Sequence, residues 1–223
     1  MNFDAGNIYL NYFRLEASAY RDKVRFYEEN PAAISLLYFD ERIEIDIDYL
    51  LCLFEVGRYE RFLSKIDHVL ESIIVENIFE FKNQNIFNEL LFRKAACLFQ
   101  LKKYQKAEDI LKQLIRMENT NPLYIGLYSI CKRKQPNDAS LTIKAMANAS
   151  FLLVLGITVA RIFLIEPFFD QWLEPFLMLR NVLFIFGLTC VSGLEIGFQY
   201  KIYKETGIFS NTVMNKIFGG KVK

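Results

Sequence analysis

The chain has a single histidine, His68, among 223 residues, and it lacks the sequence patterns that usually mark an active site. It contains no phosphate-binding glycine loop, no HExxH zinc motif and no GxSxG nucleophile motif. None of its four cysteines has CxxC or zinc-ligand spacing, and three lie in apolar helical patterns, where reduced thiols are common. Because no nucleophile or metal ligand stands beside a base, we expect no enzyme, no metal and no cofactor.

The chain also lacks a strong net charge, and we expect no N-terminal signal peptide. A net charge of +1 gives no whole-chain bias toward nucleic acid, so we expect no nucleic-acid partner. The N-terminal segment carries Asp4, Arg14 and Glu16 and has no continuous apolar core, which is unlike a secretory signal. These absences leave binding, scaffolding and membrane roles open.

Two long apolar stretches dominate the C-terminal third, at residues 145–165 and 175–198. A helix of about 20 apolar residues crosses the hydrocarbon core of a bilayer and satisfies its own backbone there. We therefore expect a two-span transmembrane hairpin in contact with the lipid bilayer. The alternative is a buried helical hairpin of a soluble protein.

The flanks of these stretches predict their orientation. The connecting loop contains three acids, Glu166, Asp170 and Glu174, together with Phe168, Phe169 and Trp172, which suit an interfacial aromatic belt. The other ends carry the bases Lys132, Arg133, Lys134, Lys144, Lys201, Lys204, Lys216, Lys221 and Lys223. The positive-inside rule then predicts both termini in the cytoplasm and the loop outside, with the plasma (inner) membrane as the expected location.

Three charges lie inside the apolar stretches: Arg161, Arg180 and Glu195. Reflecting the hairpin about Asp170 brings the two arginines level near the acidic loop and brings Glu195 close to Lys144. We interpret them as structural anchors that reach the interfaces. A transport or gating role is the alternative, because charges within a membrane are often functional.

Both stretches contain small residues at a spacing that allows another helix to pack closely against them. Gly193 and Gly197 form a GxxxG pair, and Gly156 with Ala160 forms a weaker equivalent. They predict either the internal contact of the hairpin or assembly into a homo-oligomer or with another subunit.

The soluble part contains an internal repeat. Residues 52–61 read CLFEVGRYER and residues 97–106 read CLFQLKKYQK, an offset of 45 residues. The apolar spacing predicts two helix pairs, 41–56 with 59–76 and 85–101 with 104–118. Ile43 begins a segment, IEIDIDY, that also alternates like a strand, but its unbroken continuation into LLCLF favours a helix. We further predict an amphipathic helix over 7–29, a short helix over 32–39 and a capping helix over 122–134.

The two blocks resemble the tetratricopeptide repeat. Gly57 and Tyr59 match the family's turn in the first unit, and Tyr104 and Ala107 match it in the second. Phe62 replaces the family's small residue, Lys102 replaces the turn glycine, and the offset exceeds the family's usual length of about 34 residues. The longer offset implies longer helices or an inserted turn.

The resemblance implies a concave surface lined by the first helix of each unit, where the family binds peptides or partner helices. The matching positions are Glu44, Asp48, Leu51, Glu55, Glu89, Arg93, Ala96 and Gln100. The acidic first set suggests a basic or mixed partner segment. The alternative is that these positions contact the N-terminal helix.

The expected fold is all-α, a short tetratricopeptide-like solenoid of antiparallel helix pairs followed by a two-span transmembrane helical hairpin. Its parts are a cytosolic domain (1–134), a hinge (135–144), the hairpin (145–198) and a cytosolic amphipathic tail (199–223). The expected function is a membrane-anchored adaptor or scaffold that holds a protein partner in a membrane complex. The alternative is a small subunit of a pore, transporter or membrane effector whose hairpin oligomerises and is regulated by the helical domain.

Overall fold

A computed structural model of the chain describes residues 7–81, 84–135, 138–166 and 172–207. The chain divides into two compact units, Met1–Lys132 and Arg133–Lys223. Most of the predicted outer loop, including Phe168, Phe169 and Asp170, lies outside the described residues, as does the predicted amphipathic helix after Gly207.

The first unit is built from eight described helices and one very short hairpin. The hairpin pairs β1 (Glu80–Phe81) with β2 (Gln84–Asn85) in antiparallel register and joins two helices. The helices are α1 (Ile8–Phe13), α2 (Tyr20–Glu29), α3 (Pro31–Ser35), α4 (Phe39–Val56), α5 (Tyr59–Val75), α6 (Ile86–Gln100), α7 (Tyr104–Met117) and α8 (Pro122–Lys134), the last two residues of which belong to the second unit.

The internal repeat forms two equivalent helix pairs, α4 with α5 and α6 with α7, as predicted. A left-handed residue follows the end of each first helix, Gly57 with φ of 80° and Lys102 with φ of 59°. In both turns, the amide of the following residue donates a hydrogen bond to the carbonyl five residues earlier. Arg58 donates to the Leu53 carbonyl at 2.9 Å, and Lys103 donates to the Leu98 carbonyl at 2.8 Å. This is the Schellman type of helix end. The β1–β2 hairpin lies between the pairs, so the long offset contains an inserted turn.

Helix α4 is buried on two sides, which explains its strand-like sequence. Ile43, Ile45 and Ile47 alternate in sequence, and all three are buried. Ile45 belongs to an apolar cluster with Tyr12 and Ile34 from the N-terminal segments. Since α5 packs on another side of α4, apolar residues are needed at positions that a surface helix would leave polar.

The single N-terminal helix predicted over 7–29 is wrong, because two helices, α1 and α2, occupy this region. Tyr12 and Lys23 both reach one oxygen, Asp48 Oδ2, at 3.0 and 2.8 Å. In one straight helix, these residues would be about 16 Å apart along the axis. The break over residues 14–19 lets both segments contact α4.

The second unit contains two long apolar helices, α9 (Asp138–Ala160) and α10 (Leu173–Thr206). A π-helical segment, Arg161–Ile165, extends α9. The helices are antiparallel: Phe151 contacts Phe184 with ring centroids 6.0 Å apart, and Ser150 faces Gly187. Both helices are long and apolar enough to cross a membrane. The predicted hinge over 135–144 is helical from Asp138 onward, and α10 runs past residue 198 into the predicted tail.

Candidate functional site

The acidic residues of α4 that are predicted to bind a partner lie in two environments, one against the N-terminal helices and one beside α6. Glu44 accepts a hydrogen bond of 2.6 Å from Tyr9 Oη, and Asp48 accepts those from Tyr12 Oη and Lys23 Nζ. Asp48 is 9% exposed. Contact with the N-terminal segment, the alternative interpretation, therefore describes Glu44 and Asp48. Both carboxylates therefore have hydrogen-bond partners within the chain.

Asp48 lies at the centre of a buried polar cluster. Besides Lys23 and Tyr12, its carboxylate lies 3.7 Å from Cys52 Sγ. Burial raises the pKa of Cys52 to about 12, and burial together with the negative charge of Asp48 raises the pKa of Tyr12. Both side chains therefore remain protonated donors at neutral pH. The cluster joins α2 to α4 through an ion pair and α1 to α4 through the Tyr12 hydrogen bond.

A second polar group joins α2 to the first helix pair. Glu28 accepts hydrogen bonds from Arg58 and Arg61 at 2.9 and 2.6 Å. Tyr27 donates to Asp46 at 2.7 Å and stacks on Tyr49 with ring centroids 3.7 Å apart. Burial raises the pKa of Asp46. Sequence reasoning missed this group, because its members are far apart in the chain and only folding brings them together.

The remaining predicted positions form a half-exposed surface, which we call the α4–α6 surface. Arg93 is its central residue: Nη1 lies 2.8 Å from Glu55 Oε1 and Nη2 lies 2.9 Å from Glu89 Oε1. The Arg93 guanidinium lies 4.8 Å from the Phe54 ring centroid. Gln100 is exposed at one end. The surface consists of Leu51, Glu55, Glu89, Arg93, Ala96 and Gln100.

The contacts of the charges in the predicted spans agree only in part with the reflection about Asp170. Arg161 lies 3.6 Å from Glu166, one of the three acids of the connecting loop, as its predicted place near that loop implies. Arg180 donates to Asn181 Oδ1 at 3.0 Å. Glu195 pairs with Arg133 at 2.5 Å rather than with Lys144, and it also accepts from Gln199 Nε2 at 3.0 Å. The expected Lys144 pair is therefore replaced by a cluster around Glu195.

Helices α9 and α10 are in tight contact at Gly187, a glycine that the sequence interpretation did not single out. A Cβ added to Gly187 would overlap Ser150 Oγ and lie 3.0 Å from Phe151 Cε1. A Cβ added to Gly156, Gly193 or Gly197 would meet nothing within 4 Å. The internal hairpin contact predicted for these three glycines is therefore not made in the structure. Their role in assembly, and that of Ala160, stays a prediction.

Within the part of the chain that the structure describes, no group of three or more His, Cys, Asp or Glu side chains is arranged to hold a metal ion. The class that the fold defines is an all-α protein with two helices apolar and long enough for a membrane at its C-terminal end. No protein-family model, curated protein or solved structure matches the chain. Its function must therefore be argued from its own surfaces.

Proposed function

We propose that the protein is a membrane-anchored helical adaptor. The α9–α10 hairpin holds the chain in the bilayer, and the helix pairs recruit a protein partner on the cytoplasmic face. Holding a partner at the membrane replaces its search through solution with a high local concentration, which is the mechanism of such a scaffold. The role needs no chemistry, and the chain has no sequence motif for catalysis.

The observation that carries the proposal is the exposure of the apolar helices. In the most apolar 18-residue segment of each helix, only 11% of the first helix and 6% of the second helix are buried within the chain. Leu152, Phe163 and Met178 are among the large side chains left exposed. A core hairpin of a soluble protein would bury these residues, since large exposed apolar patches are rare on such proteins. Lipid is the solvent that suits them.

Charge supports the orientation of the hairpin. Lys144 and Lys201 flank the ends of the apolar stretches that are distant from the connecting loop, whereas Glu166 and Glu174 flank the loop. This asymmetry favours both termini in the cytoplasm at a plasma (inner) membrane. It would also hold the repeat domain on the cytoplasmic side.

We assign partner binding to the α4–α6 surface. Glu55, Glu89 and Arg93 have neighbours there but retain solvent access, and Gln100 is exposed. The resemblance to tetratricopeptide repeats supports the choice, since that family binds peptides with the first helix of each unit. The alternation of acidic and basic groups suits a partner segment that carries both charges.

Affinity capture of the full-length protein from detergent-solubilised native membranes tests this role. We expect wild-type protein to co-purify with a defined partner, and Glu55→Lys and Gln100→Lys to reduce that capture several-fold. Glu60→Lys, a matched change at an exposed position of α5 outside the surface, should leave it unchanged. Capture that survives both surface changes, or falls equally with the control, would rule out this surface.

A second candidate function is favoured by the π-helical segment. It begins at Arg161, the charge of the first apolar stretch, and Arg161 Nε is buried without a hydrogen-bond partner among the described residues. Such π turns are frequent at functional sites. In this alternative the hairpin oligomerises into a pore or serves a transporter or membrane effector. Replacing Arg161, Arg180 and Glu195 together with apolar residues should abolish conduction but spare an adaptor.

A further inference from the structure

Helix α8 carries an apolar stripe that nothing else in the described chain covers. Leu123 is 64% exposed and Ile130 is 44% exposed, with half-buried Leu127 between them. The spacing of these residues places all three on one side of the helix. The opposite side is buried through Ile125 and Tyr128. Thus α8 is apolar on both sides, which is unusual for a helix at the surface of a soluble domain.

The charged residues of α8 itself all have one sign. Residues 119–137 contain no aspartate or glutamate, and α8 ends in three consecutive bases. Two of these bases have acidic partners: Lys132 pairs with Glu108, and Arg133 pairs with Glu195. The third, Lys134, is exposed. It follows Leu123 by eleven positions and therefore lies on the same side of the helix. The apolar stripe therefore ends at a positively charged side chain, that of Lys134.

The sequence position of α8 limits what can cover it. Only three residues separate Lys134 from the start of α9 at Asp138. Such a link spans at most roughly 14 Å. If α9 enters the bilayer, the C-terminal end of α8 must lie close to the head groups. An apolar side with a basic end is the pattern of helices that lie in a membrane interface.

We propose that the stripe formed by Leu123, Leu127, Ile130 and Lys134 lies on the anionic cytoplasmic surface of the bilayer. The apolar side chains enter the boundary between head groups and acyl chains, to a depth of roughly 5–10 Å. Lys134 contacts lipid phosphates or carboxylates. This inference rests on the proposed membrane anchoring and adds a second, peripheral contact that fixes how α8 meets the membrane. A second protein is a poorer match, since it would not explain why α8 itself carries only positive charges beside the anchor.

Tryptophan fluorescence of the full-length protein in lipid vesicles tests the inference. The native Trp172 is first replaced in the variant Trp172→Phe, and Ile130→Trp is added as the reporter. Ile74→Trp, at a 53% exposed apolar position of α5, is the matched control, and Leu123→Trp is a second reporter. The vesicles contain brominated acyl chains, which quench nearby tryptophan, with or without anionic lipid.

We expect blue-shifted emission and strong quenching for Ile130→Trp and Leu123→Trp, weakened when anionic lipid is omitted, and neither effect for Ile74→Trp. Wild-type protein reports the anchor independently, because Trp172 should be quenched whenever the hairpin is inserted. Quenched Trp172 with unquenched reporters would overturn the inference and leave the anchoring intact. Blue-shifted, unquenched reporters with a doubled molecular mass would assign the stripe to a second copy and also overturn it. An unquenched Trp172 would refute the anchor itself.

Discussion

Gly57 and Lys102 occupy the same turn of two consecutive helix pairs, and both have left-handed backbones with φ of 80° and 59°. The neighbouring aromatic pairs also match, Phe54 with Tyr59 and Phe99 with Tyr104. Equivalent turns thus form from a glycine and from a lysine. The lysine carries a conformational cost that the glycine does not, since its Cβ crowds the backbone at positive φ.

Replacing Lys102 with glycine should stabilise the protein by about 1 kcal/mol, because the left-handed conformation then costs nothing. Gly57→Ala should destabilise it by a similar amount. Urea unfolding of the full-length protein in detergent, followed by circular dichroism, measures both changes. Lys102→Ala is the control, since alanine removes the charge and keeps the cost. Equal stability of Lys102→Gly and Lys102→Ala would contradict the conformational explanation.

The buried pair of Lys23 and Asp48 should make the N-terminal helices essential to the fold. Lys23→Met leaves a buried carboxylate without its cation and should cost about 3 kcal/mol of unfolding free energy. The double variant Lys23→Met/Asp48→Leu should cost less than the single one, because no charge is then left unpaired. Denaturant unfolding measures each variant. A cost below about 1 kcal/mol for Lys23→Met would mean that water reaches Asp48.

Stability should fall in alkali because three thiols are buried as neutral groups. Burial raises the pKa of Cys52 and of Cys97 to about 12, and that of Cys131 to about 11, from 9.0. A thiol whose pKa is higher in the folded state than in the unfolded state contributes to the free energy of unfolding. That contribution is fully present below pH 9 and is lost as pH rises toward 11–12. Unfolding free energies measured between pH 8 and pH 11 test this. Cys97→Ala should flatten the decline, and an unchanged slope would contradict the assignment.

The hairpin contact predicts different effects for glycines that look alike in the sequence. Gly187→Ala should lower the thermal stability of the protein in detergent, because its Cβ would overlap Ser150 Oγ and crowd Phe151. Gly193→Ala and Gly197→Ala meet nothing within 4 Å and should leave hairpin stability unchanged. If these two instead alter the oligomeric mass, they mark an assembly face. Equal destabilisation by all three variants would contradict the observed packing.

Local patterns predicted much of the architecture. The repeated CLF and Tyr positions gave the bounds of α4 to α7 within a few residues, because helix pairs depend on periodic apolar residues and short turns. The length and apolarity of the C-terminal stretches gave two long helices. Each of these helices is encoded by a pattern within about twenty consecutive residues, where sequence alone is informative.

Contacts between distant segments could not be read in the same way. The break between α1 and α2 follows from Tyr12 and Lys23 converging on Asp48, which no local pattern encodes. The partner of Glu195 is Arg133, on α8, whereas reflection of two straight helices about Asp170 considers only the hairpin. That reflection also ignores the π-helical segment, which changes the rotation of the helix after Ala160.

The most direct test of the central claim is the partition of the full-length protein between membrane and solution. Membranes from expressing cells are washed with high salt and then with urea, and floated on a density gradient. We expect the protein to float with the lipid and to be released only by detergent, since α9 and α10 would be held in the bilayer. Recovery of folded protein in the washed, lipid-free fraction would contradict the membrane hairpin and the adaptor role that depends on it.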